Sequence, residues 1–272
     1  LRRSRPFSPL CAMFAFKAAT INLRGRSRRW LARRHLLVGQ LVDDLPDIVA
    51  FQEVSLLIGQ ISWLARQVNI RLTGDSRRPY RVIQMRHDRL RQTFQAVGIM
   101  TRLSVIYHDS LSLEFAGHVA LRANVELPAG AAGTRRQSLD FVSVQLDPRP
   151  DGREVRLEQV MSLVGWINEK RRVPLQVIAG DFGEGPNGAA VAFLRQSYRS
   201  AYAEARGCDP LATYPTNLVQ PQPVPAVCLD YVFLSPAVYR VTAAGIFGDK
   251  AAADDETLYP SEHVGLQVGL EV

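Results

Sequence analysis

The sequence predicts an α/β fold in which two packed sheets are flanked by helices. Residues 47–53 and 173–182 form short, almost wholly apolar runs, which are typical of strands buried on both faces. Between them, residues 80–146 contain one strand pattern after another, separated by polar or glycine-rich segments. Because strands and helices alternate only toward the two ends of the chain, the pattern favours two packed sheets over one doubly wound parallel sheet.

The N-terminal part of the domain is predicted to begin with a strand and a helix. Residues 14–23 alternate loosely between apolar and polar side chains and indicate the first strand. Apolar side chains then recur at helical spacing over 30–45, with Ser27 as a plausible N-cap and Pro46 as the end of the helix. After the buried strand that follows, the apolar residues within 57–68 mark a second helix.

The rest of the chain alternates between strand patterns and two further helices. A helix is predicted over 153–171 and a shorter one over 189–196, while the five prolines of 209–226 indicate a long loop. Further strands follow period-two or continuous apolar patterns. They are predicted at 80–86, 96–101, 103–107, 118–127, 139–146, 228–234 and 264–272.

Length and composition indicate one globular domain. The chain has 272 residues, of which 47% are hydrophobic and 22% charged. We assign residues 14–272 to a single domain and treat 1–13 as a disordered extension or a start-site artefact, since Met13 is a plausible start. No run of eighteen apolar residues exists, and the N-terminal residues do not resemble a signal peptide. These features predict a cytoplasmic monomer without a transmembrane segment.

The chain is strongly basic, and nearly all of its positive charge is arginine. Its net charge is +7, and only three of its 33 basic residues are lysine. Arginine suits phosphate because its planar fork donates two parallel hydrogen bonds, although codon bias in a GC-rich genome explains the excess equally well. The charge permits a polyanionic or phospholipid substrate. The basic run 24–34 is interpreted as a solvated helix face in preference to a phosphate-binding segment.

The chain contains three cysteines, and their spacing does not match a zinc site. Reduced, buried thiols are the expected state in a cytosolic protein. A bridge between Cys208 and Cys228 remains an open alternative at this point.

Several polar side chains fall at the ends of the predicted buried strands, where a cleft can form along the rim of a sheet. Magnesium prefers oxygen ligands, which the carboxylates of Glu53 and Glu262 and the amide oxygen of Asn22 can supply. Asn22 can also be a turn residue, and Glu53 can be a structural partner of one of the many arginines. These alternatives hold for each residue taken singly.

The same set contains groups suited to activating water. In-line hydrolysis of a phosphodiester needs a base for the attacking water and positive charge near the phosphoryl oxygens. His263 is the only histidine in the set, and Asp230 can fix its tautomer as the carboxylate of a serine-protease triad does. Asp181 follows a buried strand, where a turn residue is the alternative. Asp230 stands within an apolar strand, where an unpaired carboxylate is rare.

Five segments resemble, in their order along the chain, the signature segments of the endonuclease/exonuclease/phosphatase superfamily. They are TINLRG (20–25), PDIVAFQEV (46–54), GDF (180–182), LDYVF (229–233) and SEHVGL (261–266). Supporting matches are GIMTR (98–102), Arg122, REVRLEQV (153–160) and TYP (213–215). The resemblance covers about residues 14–271, and the combination of QEV with LDYVF is its most specific part.

The resemblance implies a four-layer α/β sandwich with two central, mainly antiparallel or mixed sheets. It also implies a magnesium site, with manganese as an alternative ion, and a phosphate-containing substrate. The implied metal ligands are Glu53, Glu262 and Asn22. The implied catalytic residues are His263 as base, Asp230 as its partner, Asp181 as the group that positions water, and Asn22. The implied substrate-binding residues are Gln145 and Arg122.

Three positions depart from the pattern of this superfamily. Gly183 stands where an asparagine is usual, with Asn187 as a conceivable substitute, Glu262 replaces an aspartate, and Gln145 replaces the histidine found in many branches. The first hypothesis is therefore an attenuated, magnesium-dependent hydrolase of a phosphodiester or phosphomonoester. The alternative is a catalytically inactive homologue that binds phosphate or nucleic acid. The sequence leaves a nucleic acid and a phospholipid head group open as substrates.

Overall fold

The computed structural model describes residues 14–25, 29–72, 78–87, 94–113, 117–128, 137–169, 173–218 and 225–272. The helices are α1 (Trp30–Asp44), α2 (Gln60–Arg71), α3 (Arg153–Glu169), α4 (Ala189–Leu194) and α5 (Ala201–Arg206). The strands are β1 (Ala15–Asn22), β2 (Ile48–Ser55), β3 (Arg81–Arg86), β4 (Gln95–Thr101), β5 (Ser104–Leu113), β6 (His118–Leu127), β7 (Gln137–Gln145), β8 (Leu175–Asp181), β9 (Arg199–Ser200), β10 (Asp230–Leu234), β11 (Arg240–Phe247) and β12 (Gly265–Glu271).

The described strands form two six-stranded sheets. The first sheet has the order β11-β12-β1-β2-β4-β3, and the second has the order β5-β6-β7-β8-β10-β9. Within the first, β1 and β2 run parallel, and within the second, β7 and β8 do so, while the other neighbours are antiparallel. Both sheets are therefore mixed, as predicted.

Three apolar layers hold the sheets and helices together. The central layer joins the inner faces of the two sheets through side chains such as Ala50 and Val97 from one and Leu121 and Phe141 from the other. An outer layer packs α1 and α2 on the first sheet, and another packs α3 and α4 on the second. Removing these apolar faces from water is the main favourable term in folding. The predicted four-layer sandwich is confirmed.

The boundaries of several elements differ from the sequence-based prediction. Ser27 lies outside the described residues, and α1 starts after Arg29, whose backbone is left-handed. The second helix starts at Gln60, and Leu57 and Ile58, which were predicted within it, are exposed in the turn before it. The predicted end of α3 at residue 171 also lies outside the described residues, and the helix is described to Glu169.

Three elements, β9, α5 and β11, were not predicted. The first two contain two and six residues, too few for a periodic apolar pattern. The third lies at the edge of the first sheet and buries few of its side chains. Edge strands carry a weak apolar alternation because only part of their surface meets the core.

The described cysteines form no disulfide. Cys208 is exposed and Cys228 is buried, and both are free. The open alternative of a bridge between them is therefore wrong, and the prediction of a buried thiol holds for Cys228 alone. Burial raises the pKa of Cys228 to about 12, which keeps it in the thiol form. Cys11 lies outside the described residues.

None of the described helices combines the length and the apolar character needed to cross a membrane. The longest of them, α3, has 17 residues and packs one face on the second sheet.

Candidate active site

The ends of five strands place polar side chains along one shared rim of the two sheets. Asn22 ends β1, Gln145 ends β7 and Asp181 ends β8, while Asp230 begins the antiparallel β10. In the second sheet, Asp181 pairs with Gln145 on one side and with Asp230 on the other. Glu53 lies near the end of β2, the parallel neighbour of β1. The topology thus brings together residues far apart in the sequence.

Glu53 is the centre of a hydrogen-bonded group that joins the sheets. Its Oε1 accepts from Asn22 Nδ2 at 3.1 Å and from Gln145 Nε2 at 3.1 Å. Its backbone is left-handed, with φ of 48°, where β2 shifts register against β4. Side chains other than glycine rarely adopt this backbone conformation, and such strain concentrates at functional sites. The bulge turns the Glu53 carboxylate toward the rim.

Asn22 connects Glu53 with Asp181. Its amide nitrogen donates to Glu53 and also to Asp181 Oδ2 at 2.9 Å. Its amide oxygen accepts the Arg24 backbone N–H at 2.8 Å. Two carboxylate acceptors define which amide atom is the nitrogen. As oriented here, Asn22 faces the carboxylates as a donor, which departs from its prediction as a metal ligand.

Asp181 is buried and is held by two donors. Its Oδ1 accepts the Gly183 backbone N–H at 2.9 Å, and its Oδ2 accepts from Asn22. Burial raises the pKa of Asp181 to about 6; His263 opposes this rise, and the nearby Asp230 carboxylate adds to it. A carboxylate with such a pKa can hold or release a proton near neutral pH.

His263 and Asp230 form a buried pair. His263 Nδ1 lies 2.8 Å from Asp230 Oδ2. Thr213 supports both, because its Oγ1 accepts the Asp230 N–H at 3.1 Å and its carbonyl accepts the Val264 N–H at 2.8 Å. The Tyr214 ring lies 4.8 Å from the imidazole, between ring centroids. The pairing leaves Nε2 as the nitrogen that exchanges protons with a ligand.

Charge around His263 favours its protonated form. Burial lowers the pKa of His263, but the Asp230 carboxylate, followed by Asp181 and Glu53, outweighs burial and raises the pKa to about 9. Because negative charge causes this rise, positive charge entering the group would lower the pKa again.

Arg24 contacts two carboxylates of the cluster. The sequence interpretation did not identify it as a site residue. Its Nε lies 2.8 Å from Glu262 Oε2, and its Nη1 lies 3.4 Å from Glu53 Oε1. Arg33, from the same basic run, is fully buried and donates to the carbonyls of Leu23 and Pro260. The interpretation of this run as a solvated helix face is therefore wrong for Arg33, which is buried, while Arg24 is exposed but precedes α1 and contacts two carboxylates. For Arg24, its place directly after the end of β1 was the available signal.

Arg122 lies elsewhere, which corrects its prediction as a substrate-binding residue. It is buried beneath α3, with its guanidinium 4.4 Å from the Trp166 ring. Its Nε and Nη2 donate to the carboxylate of Asp109 at 2.8 Å and 2.6 Å. The side chain points to the helix-covered face of the second sheet because strand residues alternate between faces. Gln145, by contrast, reaches the cluster through Glu53.

The backbone at Gly183 restricts a side chain at the position where an asparagine is usual in the family. Gly183 has φ of 64°, and a Cβ there would lie 2.7 Å from the Asp147 carbonyl oxygen. Asn187, considered as a substitute, is exposed in the following turn.

The oxygen-rich donor set fits a hard divalent cation. Glu53 and Glu262 are both held by Arg24, which shows that positive charge is favoured between them. The Gln145 Oε1 is buried and has no hydrogen-bond partner among the described residues. No three His, Cys, Asp or Glu side chains in the described ranges could hold a metal by themselves. Magnesium commonly uses one or two carboxylates and completes its shell with water and phosphate.

The fold and the cluster define a class of proteins with two facing sheets and a group of carboxylates and histidine at one rim. The model of the Endonuclease/Exonuclease/phosphatase family matches residues 19–263. Because this match spans most of the chain, the protein belongs to that family. The resemblance inferred from the signature segments is thereby confirmed.

Solved structures share the fold. An endonuclease/exonuclease/phosphatase from Bacteroides vulgatus is 19% identical with a TM-score of 0.74, over 95% of this chain and 99% of that one. TDP2 from D. rerio, complexed with single strand DNA product, is 17% identical with a TM-score of 0.75, over 95% and 99%. Truncated Caenorhabditis elegans TDP2 is 16% identical with a TM-score of 0.73, over 95% and 98%. A search of curated proteins found no match.

Proposed function

We propose that this protein hydrolyses phosphodiesters with the help of a divalent cation, magnesium or manganese. The observation that supports this most directly is the rim where the His263–Asp230 pair meets the Asn22–Asp181 pair. Hydrolysis of a phosphodiester requires a group that takes a proton from water and groups that orient the water and the phosphoryl oxygens. The cluster contains a candidate for each requirement.

Glu53 and Glu262 would hold the cation, and Asn22 would orient Glu53 through its amide hydrogen bond. When bound, the cation supplies positive charge to the phosphoryl oxygens. Glu53 already accepts hydrogen bonds from Asn22 and Gln145 through one oxygen, Oε1. Its other oxygen, Oε2, accepts none from the described residues and is available for a ligand.

His263 would take the proton of the attacking water at Nε2 in its neutral form, which positive charge entering the group favours because it lowers the pKa of His263. Asp230 keeps the ring in one orientation and stabilises the imidazolium that forms. Asp181, fixed by Asn22 and the Gly183 backbone, would accept a hydrogen bond from the same water. The attack is in line, so the P–O bond on the far side of phosphorus would break and the leaving alkoxide would take its proton from solvent water. Gln145 cannot protonate that oxygen, which supports a slow reaction.

The first substrate class to test is single-stranded DNA. D. rerio TDP2, which shares the fold, was solved with a single strand DNA product. The basic chain also favours a polyanion, since each neutralised phosphate adds to affinity. RNA and phospholipid head groups carry the same phosphodiester and belong in the same screen.

A second candidate function is binding without turnover. The observation that favours it is the pair of replacements, Gly183 and Gln145, which remove a side-chain amide and an acid from the rim. In that case the site would hold a phosphate-containing ligand and release it unchanged.

Activity should depend on His263. With Mg²⁺ or Mn²⁺, we expect the purified protein to cleave a single-stranded oligonucleotide or bis(p-nitrophenyl) phosphate, and His263→Ala to be slower by about 10²–10⁴-fold, the usual cost of losing a base. His108→Ala, an exposed histidine on β5, is the matched control. Turnover by His263→Ala at the wild-type rate would contradict the proposal. Oligonucleotide binding with no turnover in wild type would favour the second function.

A further inference from the structure

The Arg24 guanidinium bridges the two carboxylates assigned to the cation. Its Nε is 2.8 Å from Glu262 Oε2 and its Nη1 is 3.4 Å from Glu53 Oε1. We propose that Arg24 is a built-in counter-ion of the Glu53–Glu262 pair, and that a divalent cation must displace it to bind. Arg24 therefore sets the metal affinity of the site.

The backbone holds Arg24 in this place. Its φ of 54° is left-handed, which redirects the chain after β1. The Arg24 N–H donates to Asn22 Oδ1 at 2.8 Å, and the next N–H, of Gly25, donates to the Glu53 carbonyl at 2.7 Å. The segment that carries Arg24 is therefore attached to the residue whose carboxylate Arg24 binds. The contact between the guanidinium and the carboxylates follows from this attachment.

Arg24 stands between the carboxylates and solvent. Its side chain is 44% exposed, whereas those of Glu53 and Glu262 are 10% and 1% exposed. The guanidinium itself can move into water, and a cation that takes its place balances the two buried carboxylates, which are costly to leave without a counter-charge. The buried carboxylates cannot turn to water instead. A cation approaching from solvent thus meets the guanidinium first.

The charges predict that Arg24 and a divalent cation compete for the carboxylates of Glu53 and Glu262. With Arg24 in place, two carboxylates are balanced by one guanidinium, and the pair carries half of its full negative charge. A divalent cation held close to a guanidinium would be repelled, and this repulsion is large at separations of a few ångströms. The two positive groups therefore exclude one another from the space between Glu53 and Glu262.

The other arginine near this pair is engaged in a different way. Arg33 is fully buried and donates to the carbonyls of Leu23, Gly25 and Pro260, at 2.8, 2.9 and 2.6 Å. These contacts fix it to the backbone. If Arg24 is replaced, Arg33 stays on these carbonyls and does not take over the bridge between the carboxylates.

The inference rests on the proposed function, because it assigns the cation to Glu53 and Glu262. Calorimetric titration with Mn²⁺ tests it without an activity assay. Arg24→Gln should bind Mn²⁺ about tenfold more tightly than wild type, since one competing positive charge is removed. Arg29→Gln is the matched control: Arg29 is also left-handed, similarly exposed and paired with one carboxylate, Asp255. This control should bind as wild type does, and Glu53→Gln should bind far more weakly.

The outcomes separate the inference from the function on which it rests. If Arg24→Gln binds Mn²⁺ no more tightly than wild type while Glu53→Gln loses binding, the cation site stands and the competition is refuted. If Glu53→Gln binds as wild type does, the assignment of the cation to Glu53 is refuted as well. Circular dichroism of each variant confirms that binding is compared between folded proteins. Absence of Mn²⁺ binding in every protein would overturn both claims.

Discussion

Gly183 occupies a position of the rim where a side chain is hard to accommodate. It lies directly after β8 and Phe182, with φ of 64°, and its N–H holds Asp181 in place. A side chain there meets two obstacles: the left-handed backbone, and the carbonyl oxygen of Asp147 at 2.7 Å from the position of a Cβ. The asparagine that is usual in the family therefore does not fit by simple replacement.

Gly183→Asn is accordingly expected to destabilise the protein. Gly207 offers a matched control, because it is also left-handed at φ of 85° but has no atom of the described residues within 4 Å of the place a Cβ would take. Gly207→Asn incurs only the backbone strain, which is about 1 kcal/mol. Gly183→Asn adds the contact with Asp147 and should lose about 1–3 kcal/mol more in urea unfolding. Equal losses in the two variants would show that the Asp147 carbonyl moves aside freely.

Most residues of the cluster could be predicted from sequence, but the contacts between them could not. Asn22, Glu53 and Asp181 were identified because polar residues that end buried strands meet at a rim. Arg24 was missed, since a long arginine in a basic run has no pattern that separates it from a solvated residue. Arg122 was assigned to the site by the resemblance, and in a strand buried on both faces the apolar pattern does not show which sheet face a side chain occupies.

At the scale of elements, α1 supports the site through Arg33. This residue is fully buried on the helix, yet its guanidinium reaches carbonyls on two loops that carry site residues. One loop follows β1 and includes Arg24, and the other leads to Glu262. Burial lowers the pKa of Arg33 to about 10, although Glu262 and Glu53 act to raise it, so it stays charged at neutral pH.

Arg33→Met should cost far more stability than a surface arginine. Methionine keeps an unbranched stem of similar length but leaves the carbonyls of Leu23, Gly25 and Pro260 without their donor. Buried acceptors left unsatisfied cost about 1–3 kcal/mol each before relaxation, so a total near 3 kcal/mol is expected. Urea unfolding measures it against Arg66→Met, an exposed arginine on α2. A loss equal to that of Arg66→Met would contradict the supporting role.

At the scale of the whole molecule, the two-sheet architecture followed from sequence because its strands carry strong patterns. The strands that face both a helix layer and the central core, such as β2 and β8, are buried along their whole length and mostly apolar. What did not follow was the pairing of distant strands, β1 with β12 and β8 with β10. Such pairing depends on contacts between segments far apart in the chain, which local periodicity does not encode.

His87 links the two sheets directly. Its N–H donates to the Gln95 carbonyl of β4 at 3.0 Å, within the first sheet. Its Nδ1 accepts the Val119 N–H of β6, in the second sheet, at 3.2 Å. Its ring is buried, with its centroid 5.1 Å from that of His118. The hydrogen bond to Val119 requires an unprotonated Nδ1, so the junction between the sheets depends on neutral His87.

The stability of the whole fold should therefore fall in mild acid. Burial, with a smaller contribution from His118, lowers the pKa of His87 from 6.5 to about 4. The unfolded chain thus takes up a proton first, so the contribution of His87 is complete above pH 6.5 and is lost as pH falls toward 4. Between about pH 7.5 and about pH 5 this amounts to about 2 kcal/mol. In urea unfolding, His87→Asn, which keeps an acceptor, should lose correspondingly less than wild type, while exposed His108→Asn should match wild type. An identical acid loss in His87→Asn would place the sensitivity elsewhere.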